Sequence, residues 1–306
     1  MCAIGGILFK HDNRTFDLTT GEALTRILAA TVHRGMDSAG WALYREPINN
    51  TIRMRFFIPA DESAAAAEIT KIKEVLSDHH VSITNTRQLG CTLGVQAGFS
   101  GDMLALTHAI EKALKPVSMG TRLDIIKDVG MPHEIAPVYN IAEFNGSHGI
   151  AHNRLATESG VRAETAHPFW ACGFSDIATV HNGQLTNYWI MRRRLERKGM
   201  VFQTENDTEL IAVYLAYQMS CNLSLEDALK ASLADLDGTF SYLVATQDAI
   251  GYAKDKLAAK PMVKYENDEM IVIASEEVGI NRLFPGKALE TSEPAPLTYG
   301  LWSRAA

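Results

Sequence analysis

The chain has 306 residues, 46% from the apolar set and 21% charged, with 22 Gly and 10 Pro, which excludes disordered, collagen-like and low-complexity polymers. Lys plus Arg total 29 against 36 Asp plus Glu, a formal charge of −7, and no dense basic run gives the electrostatic footprint of a nucleic-acid binder. Length alone suggests about two domains.

Ala3 to Phe9 is a short apolar run with two glycines, which predicts a buried strand approached closely by another backbone. Cys2 stands at its start. Gly21 to Val32 carries Leu24, Ile27, Leu28 and Val32 at helical spacing, and this helix feeds into His33-Arg34-Gly35-Met36-Asp37-Ser38-Ala39-Gly40 and a strand at Trp41 to Tyr44. From Asp61 to about Gly130 the character changes. Helices are predicted at Asp61 to His79, Asp102 to Leu114 and Arg122 to Val129, as a helical and mixed elaboration inserted between core strands.

The segment from Ser147 to Asp207 is the richest in polar clusters: His148 to Thr157, His167-Pro168-Phe169, Ala178 to Gly183, and Asn206-Asp207-Thr208-Glu209. Each follows a strand-like run or opens a helix, where a scaffold presents chemistry to a pocket. Asn187 to Lys198 reads as a helix with Trp189, Ile190 and Leu195 inward, a solvated basic face and a stop at Gly199. Helices to about Met219 and from Leu225 to Leu236 precede strands at Thr239 to Thr246, Ile250 to Ala253 and Met270 to Ala274, with turns at Gln247-Asp248 and Asn267-Asp268. Strands and helices in runs of each kind argue for antiparallel sheets covered by helices.

The four cysteines, Cys2, Cys91, Cys172 and Cys221, form no CxxC and so no zinc ribbon, redox motif or cluster site. The N-terminal run lacks a basic flank and a cleavage pattern, and no stretch approaches the ~20 apolar residues of a membrane span, so a reducing, cytoplasmic home is expected.

Loss of Met1 would leave Cys2 with a thiol and a free α-amine on one residue, a nucleophile with its own base. Asn182-Gly183 can supply an amide and a backbone N–H to a developing oxyanion. Arg154 offers a planar fork for a carboxylate, and Asp207 a charge for an ammonium.

Met1-Cys2-Ala3-Ile4-Gly5-Gly6, His33-Arg34-Gly35 with Asp37-Ser38-Ala39-Gly40, Arg154-Leu155-Ala156-Thr157, His181-Asn182-Gly183 and Asn206-Asp207-Thr208-Glu209, in that order, resemble the class II glutamine amidotransferases of the N-terminal-nucleophile hydrolase superfamily. Lys127-Asp128-Val129-Gly130, Ala151 to Ser159 and Ala166 to Phe169 are most similar to stand-alone amidotransferase subunits of glutamate-synthase-type and N-methylglutamate-synthase systems.

The resemblance implies an α+β, four-layer α/β/β/α fold with two stacked antiparallel sheets, and one domain over residues 1–306. It implies Cys2 as nucleophile, Asn182 and Gly183 as oxyanion donors, Arg34 ordering the loop over Cys2, and Arg154, Thr157 and Asp207 binding L-glutamine. Ammonia would pass to a synthase subunit of a hetero-oligomeric complex. No cofactor or metal is expected in this chain, with FMN and iron–sulfur clusters only on the partner subunit. Glu158 departs from the His or Asn common there, the segment 61–130 is longer than in compact members, and Asp255 to Pro261 resembles a structural turn of the family. Two other readings stay open: an N-terminal-cysteine hydrolase of another amide, and a non-catalytic glutamine-binding regulatory subunit.

Overall fold

A computed structural model describes residues 2–111, 113–155 and 160–304. Strand β1 (Ala3–Phe9) leads into α1 (Thr20–Ala30), whose start is capped by the Thr19 side chain accepting from the Glu22 amide. Next come β2 (Ser38–Tyr44), β3 (Thr51–Phe57), α2 (Glu62–Asp78), β4 (Ser82–Leu89), β5 (Thr92–Gly98), α3 (Met103–Ile110) and β6 (Pro116–Gly120). Then follow β7 (Leu123–Val129), α4 (Pro132–Val138), β8 (His148–Arg154), β9 (Phe169–Trp170), β10 (Ala178–Leu185), α5 (Tyr188–Glu196), α6 (Asp207–Ser220) and α7 (Leu225–Asp235). The chain closes through β11 (Gly238–Ala245), β12 (Ala249–Lys254), β13 (Val263–Glu266), β14 (Met270–Ala274), α8 (Glu277–Asn281) and β15 (Thr298–Ser303).

Among the described residues the strands make three sheets, ordered β13-β14-β1-β8-β2-β7, β15-β12-β11-β10-β9 and β4-β5-β3-β6, with antiparallel pairing throughout. The first two stack face to face. Ile4, Leu8, Ala42, Ile125 and Ile150 of one sheet meet Val180, Leu243, Ala245 and Ile250 of the other in a single apolar layer. The outer face of the first sheet is covered by α1, α4 and α8 through Ile7, Leu24, Ile27, Ile135 and Ile280. The outer face of the second is covered by α5, α6 and α7 through Tyr188, Leu210, Val213 and Leu229 against Phe240 and Val244. This is the α/β/β/α arrangement. What approaches Gly5 is a helix side chain, not a backbone: a Cβ there would lie 2.9 Å from Ile27 Cγ2.

Residues 123–129 form a strand, not the expected helix. Leu123, Ile125 and Lys127 point to the inter-sheet layer while Ile126 packs on the opposite side, a period of two that β-branched residues favour. The elaboration is correspondingly displaced, running from β3 to β6, and it is a sheet with α2 and α3 against its apolar face. Its polar face is tied to the first sheet by a buried Arg55–Asp124 pair, with Nε and Nη2 donating at 2.7 and 2.9 Å. In α5 the inward stripe is Tyr188, Met191 and Leu195, while Trp189 and Ile190 are exposed. Its basic face is partly engaged, since Arg192 bonds the Tyr188 hydroxyl and the Thr204 carbonyl.

No described helix is long and apolar enough to cross a membrane.

Candidate active site

Cys2 sits at the head of β1, whose neighbours β8 and β14 arrive from remote parts of the chain. Its carbonyl oxygen accepts two hydrogen bonds, from Arg34 Nε at 3.0 Å and from Asn182 Nδ2 at 3.0 Å. Its Sγ lies 3.8 Å from the Leu155 carbonyl. Burial pushes the thiol pKa up, while the positive charges of Arg154 and Lys260 pull the other way.

Arg34 reaches Cys2 from the 3-10 turn Val32–Arg34 that follows α1. Its Nη1 donates to Glu276 Oε1 at 2.6 Å, and Glu276 Oε2 lies 3.0 Å from His33 Nε2. Burial raises the Glu276 pKa, but the Arg34 guanidinium overcomes this and holds the carboxyl below its usual range.

Asn182 and Gly183 lie in β10, opposite Ser241 and Phe240 of β11. Gly183 has φ +143°, and a Cβ there would collide with the Thr239 carbonyl, so only glycine lets β10 make this close approach. The β8 alternation sends His148, Ile150, His152 and Arg154 toward the second sheet, while Asn153 turns to α1 and donates to the Leu28 carbonyl. Arg154 Nη1 donates to Thr165 Oγ1 at 3.1 Å, and its backbone oxygen accepts from the Asp37 amide at 3.0 Å. Burial lowers the Arg154 pKa, and the charges of Cys2, Asp37 and Asp207 pull the other way.

Asp207 is the first residue of α6, after the cap residue Asn206, whose side chain accepts from the Thr208 amide at 2.9 Å. Its carboxylate accepts from the Leu185 amide at 3.2 Å and lies 3.4 Å from His181 Nδ1. Burial pushes its pKa up, but His181 and the Leu185 and Thr208 amides outweigh this, so it stays ionised. Cys2, Arg34, Arg154, the adjacent Asn182 and Gly183, and Asp207 thus come from five distant places in the chain. Thr157 and Glu158 lie outside the described residues.

A buried polar layer adjoins these residues through His181. His152 stacks on His167 at 4.0 Å and its Nε2 donates to the His181 carbonyl at 3.1 Å, leaving Nδ1 without a partner among the described residues. Burial drives the His152 pKa down to about 3 and carries His167 well below its ordinary value, so both rings are neutral at pH 7. Lys127, equally buried, donates to the carbonyls of Glu164, Ala166 and Pro168 at 3.3, 2.7 and 3.1 Å, and burial lowers its pKa to about 7.

Residue-by-residue reading of the sequence did not single out Glu276, Thr165 or Lys260. Lys260 belongs to the Asp255 to Pro261 turn, read only as structural; the turn does brace the sheet, since Asp255 accepts from the Phe240 and Leu257 amides, yet its lysine also acts on the Cys2 thiol.

The model of a glutamine amidotransferase domain matches residues 152–282. A provisionally named glutamine amidotransferase of Methanothermobacter thermautotrophicus is 36% identical over 300 residues, covering 96% of this chain and 97% of its own. The glutamine amidotransferase-like protein GlxB of Rhizobium meliloti is 34% identical over 302 residues, 99% and 98% of the two chains. Among solved structures, the glutamine phosphoribosylpyrophosphate amidotransferase of Bacillus subtilis superimposes with a TM-score of 0.61 at 19% identity, over 96% of this chain and 46% of that one. That likeness carries the fold.

Proposed function

The chain belongs to the glutamine amidotransferase family, with the class II N-terminal-nucleophile fold, and from that premise we propose that Cys2 hydrolyses L-glutamine to glutamate and ammonia through a γ-glutamyl thioester. The observation that carries this reading is the Cys2 backbone held by Arg34 and Asn182, together with Arg154 and Asp207, whose opposite charges act on one another. A free amino acid presents a carboxylate and an ammonium a fixed distance apart, and a cation–anion pair is the matching receptor.

Removal of Met1 frees the Cys2 α-amine to take the thiol proton as Sγ attacks the side-chain amide carbon. The Asn182 amide has two hydrogens; one holds the Cys2 carbonyl, and the other, with the Gly183 N–H, meets the oxyanion. The protonated α-amine gives its proton to the departing nitrogen, ammonia leaves, and a Cys2–glutamyl thioester remains. Water then attacks the thioester, the amine accepts its proton, and the thiolate departs with glutamate released. Arg154 takes the α-carboxylate and Asp207 the α-ammonium, with Thr157 completing the pocket.

The finer reading is that the whole chain acts as one catalytic domain in the cytoplasm, delivering ammonia to a glutamate-synthase-like or N-methylglutamate-synthase-like subunit that carries FMN and iron–sulfur clusters. Masses of the purified N-terminus, with glutamate release measured before and after assembly with co-purifying subunits, test both levels. A mature Cys2 terminus that releases no glutamate in the complex refutes the glutaminase. Active enzyme that never co-purifies with a flavin and iron–sulfur subunit refutes the partner. Cys2→Ala abolishes release while leaving the fold intact.

A further inference from the structure

The segment between Gly160 and Phe169 joins the end of β8 to the edge of the second sheet, and it carries Thr165, the hydroxyl that accepts from Arg154 Nη1 at 3.1 Å. The same hydroxyl lies 2.9 Å from the Gly160 carbonyl and 3.0 Å from the Arg162 carbonyl, so its proton is directed away from Arg154 and its lone pair toward it. Two features fix where this threonine stands. The first is Lys127 in β7, whose ammonium donates to the carbonyls of Glu164 and Ala166, the residues on either side of Thr165, and to that of Pro168. Its charge also lies 4.3 Å from the centre of the Phe169 ring. The second is Gly40 in β2, where any Cβ would collide with the His167 carbonyl and come within 2.6 Å of Lys127 Cβ. The segment therefore passes close over β2 at His167 and is held from Glu164 to Pro168 by one side chain.

Three donors matched to three carbonyls use the full hydrogen-bonding capacity of an ammonium. A buried lysine with no carboxylate of the described residues in hydrogen-bond contact is a costly arrangement, and methionine would fill the space at lower desolvation cost. The nearest ionised groups, Glu164, Glu209 and Arg154, act on it only at a distance, and the neutral His167 ring adjoins it. Fixing one backbone geometry accounts for the charge being there.

We propose that Lys127 and Thr165 are positioning residues that aim the Arg154 guanidinium at the substrate carboxylate, Lys127 acting through the backbone of the Glu164–Pro168 segment. This rests on the reading of Arg154 as the carboxylate ligand. Without the Thr165 hydroxyl the guanidinium loses one of the contacts that orient it, the Gly160 carbonyl standing 3.5 Å from the same Nη1, and the fraction of enzyme competent to bind glutamine falls.

The test is steady-state glutaminase kinetics of processed enzyme, with calorimetric affinity for L-glutamate as a readout independent of turnover. Thr165→Val and Lys127→Met each raise KM for glutamine and Kd for glutamate roughly tenfold, about 1.4 kcal/mol, with kcat within about twofold, and the double variant is no worse than the worse single one. Thr165→Ser, which keeps the hydroxyl, stays within about twofold of wild type. If Lys127→Met does not fold, Thr165→Val against Thr165→Ser decides. Wild-type enzyme with no glutaminase activity overturns the glutamine reading and this proposal with it. Active wild-type enzyme together with a Thr165→Val variant of unchanged KM, or with losses confined to kcat, overturns this proposal alone.

Discussion

Replacing Asp207 by Asn removes one negative charge and little else. The Asn side-chain oxygen can still accept from the Leu185 amide, now at 3.2 Å, and the residue keeps its place at the start of α6. An ammonium about 4 Å from the carboxylate in surroundings of effective dielectric about 20 interacts by about 4 kcal/mol. The Asp207 side chain retains 23% exposure, so solvent screening reduces this to about 2 kcal/mol, roughly a thirtyfold loss of kcat/KM appearing mainly in KM. Loss of the helix-dipole contact at the α6 N-terminus costs a further ~0.3–1 kcal/mol of fold stability, so Tm moves by a few degrees at most. The discriminating assay pairs glutamine with its analogue lacking the α-amino group. The variant should lose its thirtyfold on glutamine and almost nothing on the deamino analogue. Equal losses on both substrates would mean that Asp207 does not read the ammonium at all. Because the Asp207 pKa is depressed, the charge is present throughout the neutral range, and KM should stay flat from about pH 6 to 8.

Asn182→Ala removes an oxyanion donor and should lower kcat by ~10²–10³, measured in single turnovers; a loss below tenfold would take Asn182 out of the chemistry. Gly183→Ala must part β10 from β11, costing at least about 3 kcal/mol and on the order of 6–12 °C in Tm by calorimetry, and a wild-type Tm would contradict the clash with Thr239. Glu276→Gln loosens Arg34 from one of its partners and should reduce kcat/KM roughly fivefold, since the carboxylate is part-exposed and worth about 1 kcal/mol there; unchanged kinetics would show that Arg34 holds the Cys2 carbonyl without help from Glu276. His148, His152 and His167 are buried neutral, with pKa values lowered to about 4, about 3 and well below normal. The unfolded chain takes up their protons near pH 6.5 and the folded chain does not, so each removes up to about 1.4 kcal/mol of stability per pH unit between 6.5 and its folded value, and none above pH 7. Urea midpoints that hold steady from pH 7 to 5 would show that the rings are not buried neutral.

Candidate residues marked by type and local motif were legible in the sequence, and so was their placement: Cys2 before an apolar run, Arg34 in its turn, the His181-Asn182-Gly183 strand and the capped start of α6. Glu276, Thr165 and Lys260 were not, because each acts alone, through a contact that folding creates, and no spacing announces it. The strand at 123–129 was read as a helix since a short apolar run carries both periods, and only the pairing with β2 decides. The sheet of β3 to β6 escaped for a related reason. Ser82–Leu89 is an edge strand exposed along most of its length, so it lacks the alternation that marks a half-buried one. Antiparallel sheets covered by helices, by contrast, followed from runs of strands and runs of helices, and the α/β/β/α order from the family resemblance.

The pairing of β1 has a consequence for how the molecule comes to be active. Its two partners are β8, beginning at His148, and β14, beginning at Met270, so the first strand synthesised is among the last to be enclosed. At ~5–20 residues per second, roughly 15–55 s pass on the ribosome before β14 exists. Contacts of such sequence separation form late and slowly. Until then Arg34 has no Glu276 to hold it, and the proposed nucleophile takes up its place only when folding is complete.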